Sequence, residues 1–220
     1  MPAKPLLVTR KFDWKTFFAK TEKLIKFASL SSIAPLDSTR WEEIVFHVMK
    51  NMGEKYKGGD PRWVAGSHAP GSDIWTDRLE ISAKSGKLVK GFLCISSYRL
   101  TRFSDLKAMK EFIDGNGKNF DVYLCCARTE GRDGMRNYKV FSVPAGIVEA
   151  RKMKWGERIS KKNGSSMGWH GRAQNGVEVD IHKSMSSQLW IKIPLRLCTQ
   201  VGEVTIAKNL QGSALSKILN

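Results

Sequence analysis

The chain has no apolar stretch approaching ~20 residues, so no transmembrane helix is expected. Its opening, Met1-Pro-Ala-Lys-Pro-Leu-Leu-Val, holds no hydrophobic block long enough to read as a secretory leader. Cysteine is scarce: Cys94, Cys125, Cys126 and Cys198 are the whole set, three of them in apolar runs, with no Cys-x-x-Cys pair. That argues against a disulfide framework and a zinc site, and for buried thiols in a reducing cytoplasm. His47, His68, His170 and His182 are far apart and lack metal-ligand spacing, so a histidine-metal nuclease is not expected. A Ser-His-Asp hydrolase is not expected either. Acids are few: 21 Asp and Glu face 37 Lys and Arg, a formal charge of +16. No run of five like charges occurs, so the excess is spread over a folded domain and not carried on an arm. A basic domain of this kind favours a polyanion partner, nucleic acid foremost.

What is present is ordinary for a globular protein. The 220 residues, 41% of them hydrophobic, suffice for one domain with a sizeable core. No internal repeat and no linker is visible, so residues 1–220 are read as a single domain. Asp37 or Ser38 can cap a helix running to Met52, with Trp41, Ile44, Val45, Val48, Met49 and Met52 as its apolar stripe. Lys84-Ser-Gly-Lys87 reads as a turn and Leu88 to Leu100 as a strand. Ser104 is the expected cap of a helix from Asp105 to about Asp114. Asp121 to Ala127 is almost continuously apolar, as a strand buried on both faces should be. Further strands are expected over Tyr138 to Val143, Val177 to His182 and Gln188 to Pro194.

The most informative stretch is Gly71-Ser-Asp-Ile-Trp-Thr-Asp-Arg-Leu-Glu-Ile-Ser-Ala-Lys-Ser-Gly86. From Arg78 to Lys84 the sequence alternates, with Leu79, Ile81 and Ala83 on one face and Glu80, Ser82 and Lys84 on the other. A two-residue turn at Thr76-Asp77 would set Trp75 against Arg78 and Asp73 against Glu80. Two carboxylates and an ammonium would then meet at one sheet edge. Two carboxylates can hold a hard divalent cation, and a lysine beside them can orient or deprotonate a water.

Asp73 followed by Ser82-Ala83-Lys84 resembles the PD-(D/E)XK nuclease superfamily, and within it the type II restriction endonucleases. The pattern departs from the family's in two places: Ser72-Asp73 replaces Pro-Asp, and Ser82 stands where an acid is usual. The resemblance implies an α/β fold with a restriction-endonuclease-like core, a mixed central β-sheet flanked by helices. It also implies Mg²⁺ as cofactor and hydrolysis of double-stranded DNA at specific sites. Asp73 would be a metal ligand, Lys84 would position water, and Ser82 would act through a water. Glu80 is the favoured substitute for the missing acid. Glu42, which follows Trp41 near the start of the first helix, is the other candidate, with Glu43 behind it. Cutting at palindromic sites implies a homodimer.

On this reading the catalytic core spans about 37–145, and DNA-reading additions span about 150–195. Lys87, Arg99, Arg102, Lys161, Lys162, Arg172, Lys183 and Gln188 are the DNA-binding candidates: Arg99 and Arg102 would clamp phosphate near the scissile bond, Arg172 and Lys183 would approach guanine O6 and N7 or phosphates, and Gln188 has the amide group for reading adenine. Asn163 and Asn175 have the amide groups for reading adenine. Two alternatives stay open: a nuclease of the same fold that acts by structure or damage, and a DNA-binding protein without catalysis.

Overall fold

The computed structural model describes residues 12–32, 34–52, 59–64, 71–77, 79–131 and 134–210. His68 and Arg78 lie outside the described residues. The chain forms a mixed α/β structure with one large sheet flanked by helices.

Helix α1 (Trp14–Leu30) is capped by the Asp13 carboxylate, which accepts from the Thr16 N–H at 3.0 Å. Helix α2 (Ser38–Lys50) is capped in the same way by Asp37, which accepts from Arg40 N–H at 2.9 Å. Four strands follow: β1 (Arg62–Trp63), β2 (Ile74–Trp75), β3 (Glu80–Val89) and β4 (Phe92–Arg99). Helix α3 (Leu106–Asn116) takes Asp105, not Ser104, as its cap. Then come β5 (Val122–Glu130), β6 (Met135–Pro144), β7 (Lys154–Ile159), β8 (Ser166–Arg172), β9 (Glu178–His182), β10 (Gln188–Pro194) and β11 (Thr199–Ala207).

The sheet runs β11-β6-β5-β3-β4-β10-β9-β8-β7, with β2 pairing the start of β3 and β1 pairing β2. Among the described pairs only β3 with β5 is parallel; α3 makes the crossover between them. The order helix, short strand, β3, β4, helix, buried strand agrees with the sequence reading. One boundary differs. β3 does not turn at Lys84 to Lys87 but continues to Val89, and the chain reverses at Lys90 and Gly91, both with positive φ (48° and 82°). Gly86 serves a different need: a Cβ there would stand 2.7 Å from the Cys94 carbonyl oxygen of the neighbouring strand.

Alternation along the strands builds two cores, one on each face. On one face α1 and α2 bury Phe17, Ile25, Trp41, Val45 and Met49 against Ile81, Ala83, Leu124, Val140 and Val204. On the other, α3 buries Met109 and Ile113 with Leu93, Ile95, Cys125, Leu189 and Ile191. β4, β9 and β10 give buried core residues only to the α3 face. Their alternate residues, Cys94 and Ser96 on β4, Glu178, Asp180 and His182 on β9, and Gln188, Trp190 and Lys192 on β10, lie on the α2 face. That part of the sheet presents a polar surface beside α2, in place of a third helix.

Candidate active site

The hairpin of β2 and β3 sets the geometry. Ile74 pairs with Ile81 and Trp75 with Glu80, so the register is shifted by two residues from the expected Trp75–Arg78 pairing. The cause is a four-residue turn: Thr76 N–H donates to the Leu79 carbonyl at 2.9 Å, and Leu79 N–H donates to Thr76 Oγ1 at 3.0 Å. A shift of two keeps every side chain on its face but changes its partner. Asp73 therefore meets Ser82 instead of Glu80. Its backbone N–H donates to the Ile81 carbonyl at 2.8 Å. Its Oδ2 accepts from Lys84 Nζ at 2.8 Å and from Ser82 Oγ at 3.2 Å. The Asp73 side chain is 5% exposed and that of Lys84 18%.

Glu42 supplies the second carboxylate. Trp41 is fully buried, and its indole N–H donates to the Leu124 carbonyl at 2.8 Å, which pins α2 to β5. The next residue then faces the hairpin. Glu42 is buried, and its Oε2 accepts from Trp63 Nε1 at 3.4 Å. Trp63 is held in turn by the β1–β2 pairing and by stacking near Phe46 (5.4 Å between ring centroids). Burial raises the Glu42 pKa, and the charge of Asp73 raises it further, against smaller opposing effects of Trp63 and Lys84.

Glu80 and Glu43 are not brought to this group. Glu80 is exposed; burial of its carboxyl and then the charge of Asp121, not Asp73, raise its pKa. Asp121 also accepts from the Glu80 backbone N–H at 2.9 Å. Glu43 points out along α2, 3.9 Å from His47, with both side chains about half exposed.

A cavity of about 210 Å³ opens at this group. Glu42, Ser82, Lys84, Ser96, Arg99 and Gln188 line it, and so do Tyr98, Asn116 and Tyr123. The last three were not among the residues singled out from sequence. Burial raises the pKa of both phenols, so they remain neutral donors. Asn116 is buried, and its Oδ1 has no hydrogen-bond partner among the described residues.

The group fits a hard cation of the Mg²⁺ type. Among the described residues no set of three metal-ligating side chains occurs. Mg²⁺, however, is commonly held by one or two carboxylates with waters and substrate phosphates completing the shell. Asp73 and Glu42 are two such carboxylates whose mutual repulsion is already visible in the raised Glu42 pKa. A cation between them would relieve it.

The basic candidates divide by face. Arg99 is exposed at the cavity wall and pairs across the sheet with Gln188, whose Nε2 donates to the Ser97 carbonyl. Lys87 is exposed on β3, opposite Cys94 on the polar face. Arg172 lies on the same face, 3.6 Å from Glu178. Lys161 and Lys162 are exposed in the β7–β8 turn. Two others point elsewhere. The Arg102 guanidinium lies over the Phe112 ring at 4.1 Å, and Lys183 lies over Trp169 at 4.6 Å. Both rings pack against the α3-side core. Asn163 and Asn175 are used locally: Asn163 Oδ1 accepts from Ser165, and Asn175 Oδ1 from Val177 N–H.

Other nucleophiles fit less well. Gly164-Ser165-Ser166-Met167-Gly168 has the Gly-x-Ser-x-Gly spacing, which the sequence reading passed over. It lies in the β7–β8 hairpin, not in a strand-to-helix turn, and Ser166 Oγ accepts from Lys183 at 2.7 Å. Burial pushes the Cys126 thiol up to about 12 and that of Cys198 to about 11, so neither is a ready thiolate. All four cysteines are free. No described helix is long and apolar enough to cross a membrane. No family model, curated protein or solved structure matches the chain.

Proposed function

We propose that the protein is a Mg²⁺-dependent DNA endonuclease with a PD-(D/E)XK-type site on a restriction-endonuclease-like core. The observation that carries this reading is a cavity lined by Glu42, Ser82 and Lys84, with Asp73 held behind it by Lys84 and Ser82. The net charge of +16 supports a polyanionic substrate. Asp73 and Glu42 would hold the cation, and Glu42 takes the place of the acid missing at Ser82. A bound Mg²⁺ supplies Lewis-acid polarisation of the phosphate and a water of lowered pKa.

The chain's own residues do the rest. Lys84 carries its charge into the cavity on a mostly buried side chain. Its ammonium would hold the attacking water and offset charge growing on the phosphoryl oxygens. Ser82 Oγ keeps the Asp73 carboxylate oriented. The phenols of Tyr98 and Tyr123 and the amide of Asn116 provide neutral polar contacts that add no negative charge near the phosphate. Arg99 at the wall would clamp a backbone phosphate. Site-specific cutting by a symmetric dimer belongs to the same proposal, since a two-fold enzyme matches a palindromic duplex.

Incubation with plasmid DNA and Mg²⁺ tests the reading. Discrete fragments support a site-specific nuclease. Nicks or smears support a nuclease that acts by structure. A gel shift without cutting in any divalent metal would reject catalysis.

A further inference from the structure

A second cavity, about 420 Å³, opens on the polar face farther along β4 and β10. Its chemistry centres on Asp180, a β9 carboxylate only 6% exposed. Asp180 Oδ1 pairs with His170 Nδ1 at 2.9 Å and with Arg158 Nη1 at 3.5 Å; Oδ2 accepts from Lys192 Nζ at 2.7 Å. Strand pairing explains the convergence. His170 sits directly opposite Asp180 on β8, Trp190 directly opposite on β10, and His182 is two residues along β9. The other charged neighbour is Glu178, 3.9 Å from Lys192 Nζ.

The donors here exceed the acceptors. A guanidinium carries five N–H groups and an ammonium three. Asp180 and the more distant Glu178 take only part of them. Both nitrogens of the His182 ring lie 3.4 Å from Arg158 Nη1. Burial and then the charge of Arg158 lower the His182 pKa. The buried Trp190 Nε1 has no hydrogen-bond partner among the described residues. One buried carboxylate thus fixes two cations and an imidazole around a cavity wide enough for a small anion.

We propose that this cavity is a phosphate-binding subsite, and that its occupant is a backbone phosphodiester of the bound polynucleotide away from the scissile bond. The assignment rests on the nuclease reading above for its substrate class. The two cavities share their strands: Ser96 and Gln188 line the first, Cys94, Trp190 and Lys192 the second. Gln188 to Lys192 is four residues of β10, roughly 13 Å at ~3.3 Å per residue. That is about four base steps of duplex at 3.4 Å each. A strand laid along β10 from Lys84 would therefore bring a later phosphate to Arg158 and Lys192.

The test uses the full chain with ¹⁵N-labelled histidine in EDTA. The His170 and His182 imidazole resonances are followed while a 12-base-pair duplex, and separately inorganic phosphate, is added. Saturable shifts of both rings with the duplex are expected. Arg158→Gln, which leaves Asp180 its His170 and Lys192 partners, should weaken duplex affinity about tenfold, and His182→Gln, which leaves Asp180 all three of its partners, should weaken it several-fold. Thermal melts of both variants should match wild type. Duplex binding with unmoved imidazoles and wild-type affinity in both variants would overturn the subsite. Shifts with phosphate but not with duplex would also overturn it, in favour of a site for a free phosphate compound. Imidazole shifts with duplex in a protein that never cuts would reject the catalytic reading and leave the subsite standing.

Discussion

Lys84 Nζ stands 2.8 Å from Asp73 Oδ2, and the carboxylate it meets is almost fully buried. Two charges taken out of water in this way are poor value as a stabilising pair unless further hydrogen bonds complete them. Here Ser82 Oγ and the buried Glu42 complete the surroundings, and Glu42 adds repulsion instead of support. Sites that keep unfavourable charges together are the ones that gain when a cation or phosphate arrives.

Glu42 and Glu80 should separate cleanly in mutagenesis. Glu42→Gln is expected to abolish cutting or to raise the Mg²⁺ requirement by about tenfold or more. Glu80→Gln is expected to cut like wild type, because its carboxylate faces Asp121. A Mg²⁺ titration of both variants side by side decides it. An inactive Glu80→Gln beside an active Glu42→Gln would return the missing acid to β3.

Stability should fall as pH rises through the Glu42 titration. A carboxyl whose folded pKa is raised contributes stability that is fully present below its ordinary value of 4.5. That contribution is lost as pH climbs through the raised value. Glu80 acts in the same direction. Asp180, whose burial is outweighed by the hydrogen bonds and charges of Lys192 and His170 together, is lowered, acts in the opposite direction and loses its contribution in acid. Urea melts from pH 4 to 8 on wild type and Glu42→Gln isolate the Glu42 part. The variant should gain on wild type as pH rises, and the gain should shrink when Mg²⁺ is added. A constant difference across the range would remove the repulsion argument.

Much of the scaffold was legible in the sequence, and the reasons are physical. The α2 stripe from Trp41 to Met52 is strongly periodic, and Asp37 caps where it should. β5 reads as buried because both its faces are covered by core. The register of the β2–β3 hairpin was not legible, since it depends on a turn closed by the Thr76 hydroxyl. That single detail moved Asp73 from Glu80 to Ser82. Helix α1 went unread because its buried line includes Thr21 and Ser29, which dilute the apolar stripe. It packs on β11 where Gly202 leaves room for the Phe18 ring; a Cβ there would stand 2.3 Å from it. The β7–β8 hairpin was hidden because most of its residues meet solvent, so no alternation of hydrophobicity marks it.

Salt should govern binding. With ~6–10 phosphate contacts, affinity should drop by about 10³–10⁵ between 50 and 200 mM salt. Arg99→Ala should reduce the salt slope by about one on any sequence. Arg102→Ala should change it less, because that guanidinium lies over Phe112, and should cost stability instead. Binding isotherms at several salt concentrations, with melts alongside, test both. A flat salt response would contradict a phosphate-tracking surface.

Arg172 and Gln188 lie on the polar face, Gln188 at the cavity of the candidate active site, and alanine at either should alter which sequences are cut if they read bases. Cleavage of a randomised duplex library, sequenced at the ends, makes the comparison. Uniformly slower cutting with unchanged end sequences would place base reading elsewhere.

On this proposal Asp73 and Lys84 form a metal-dependent phosphodiesterase site. Its most direct measurement is plasmid cleavage by wild type and Asp73→Asn over a Mg²⁺ titration, with duplex affinity measured on the same samples in EDTA. Wild type should cut only with the metal. Asp73→Asn should not cut at any concentration and should bind duplex as tightly or more tightly, having lost a negative charge. Cleavage by Asp73→Asn at the wild-type rate, or wild-type cleavage undiminished in EDTA, would contradict the account.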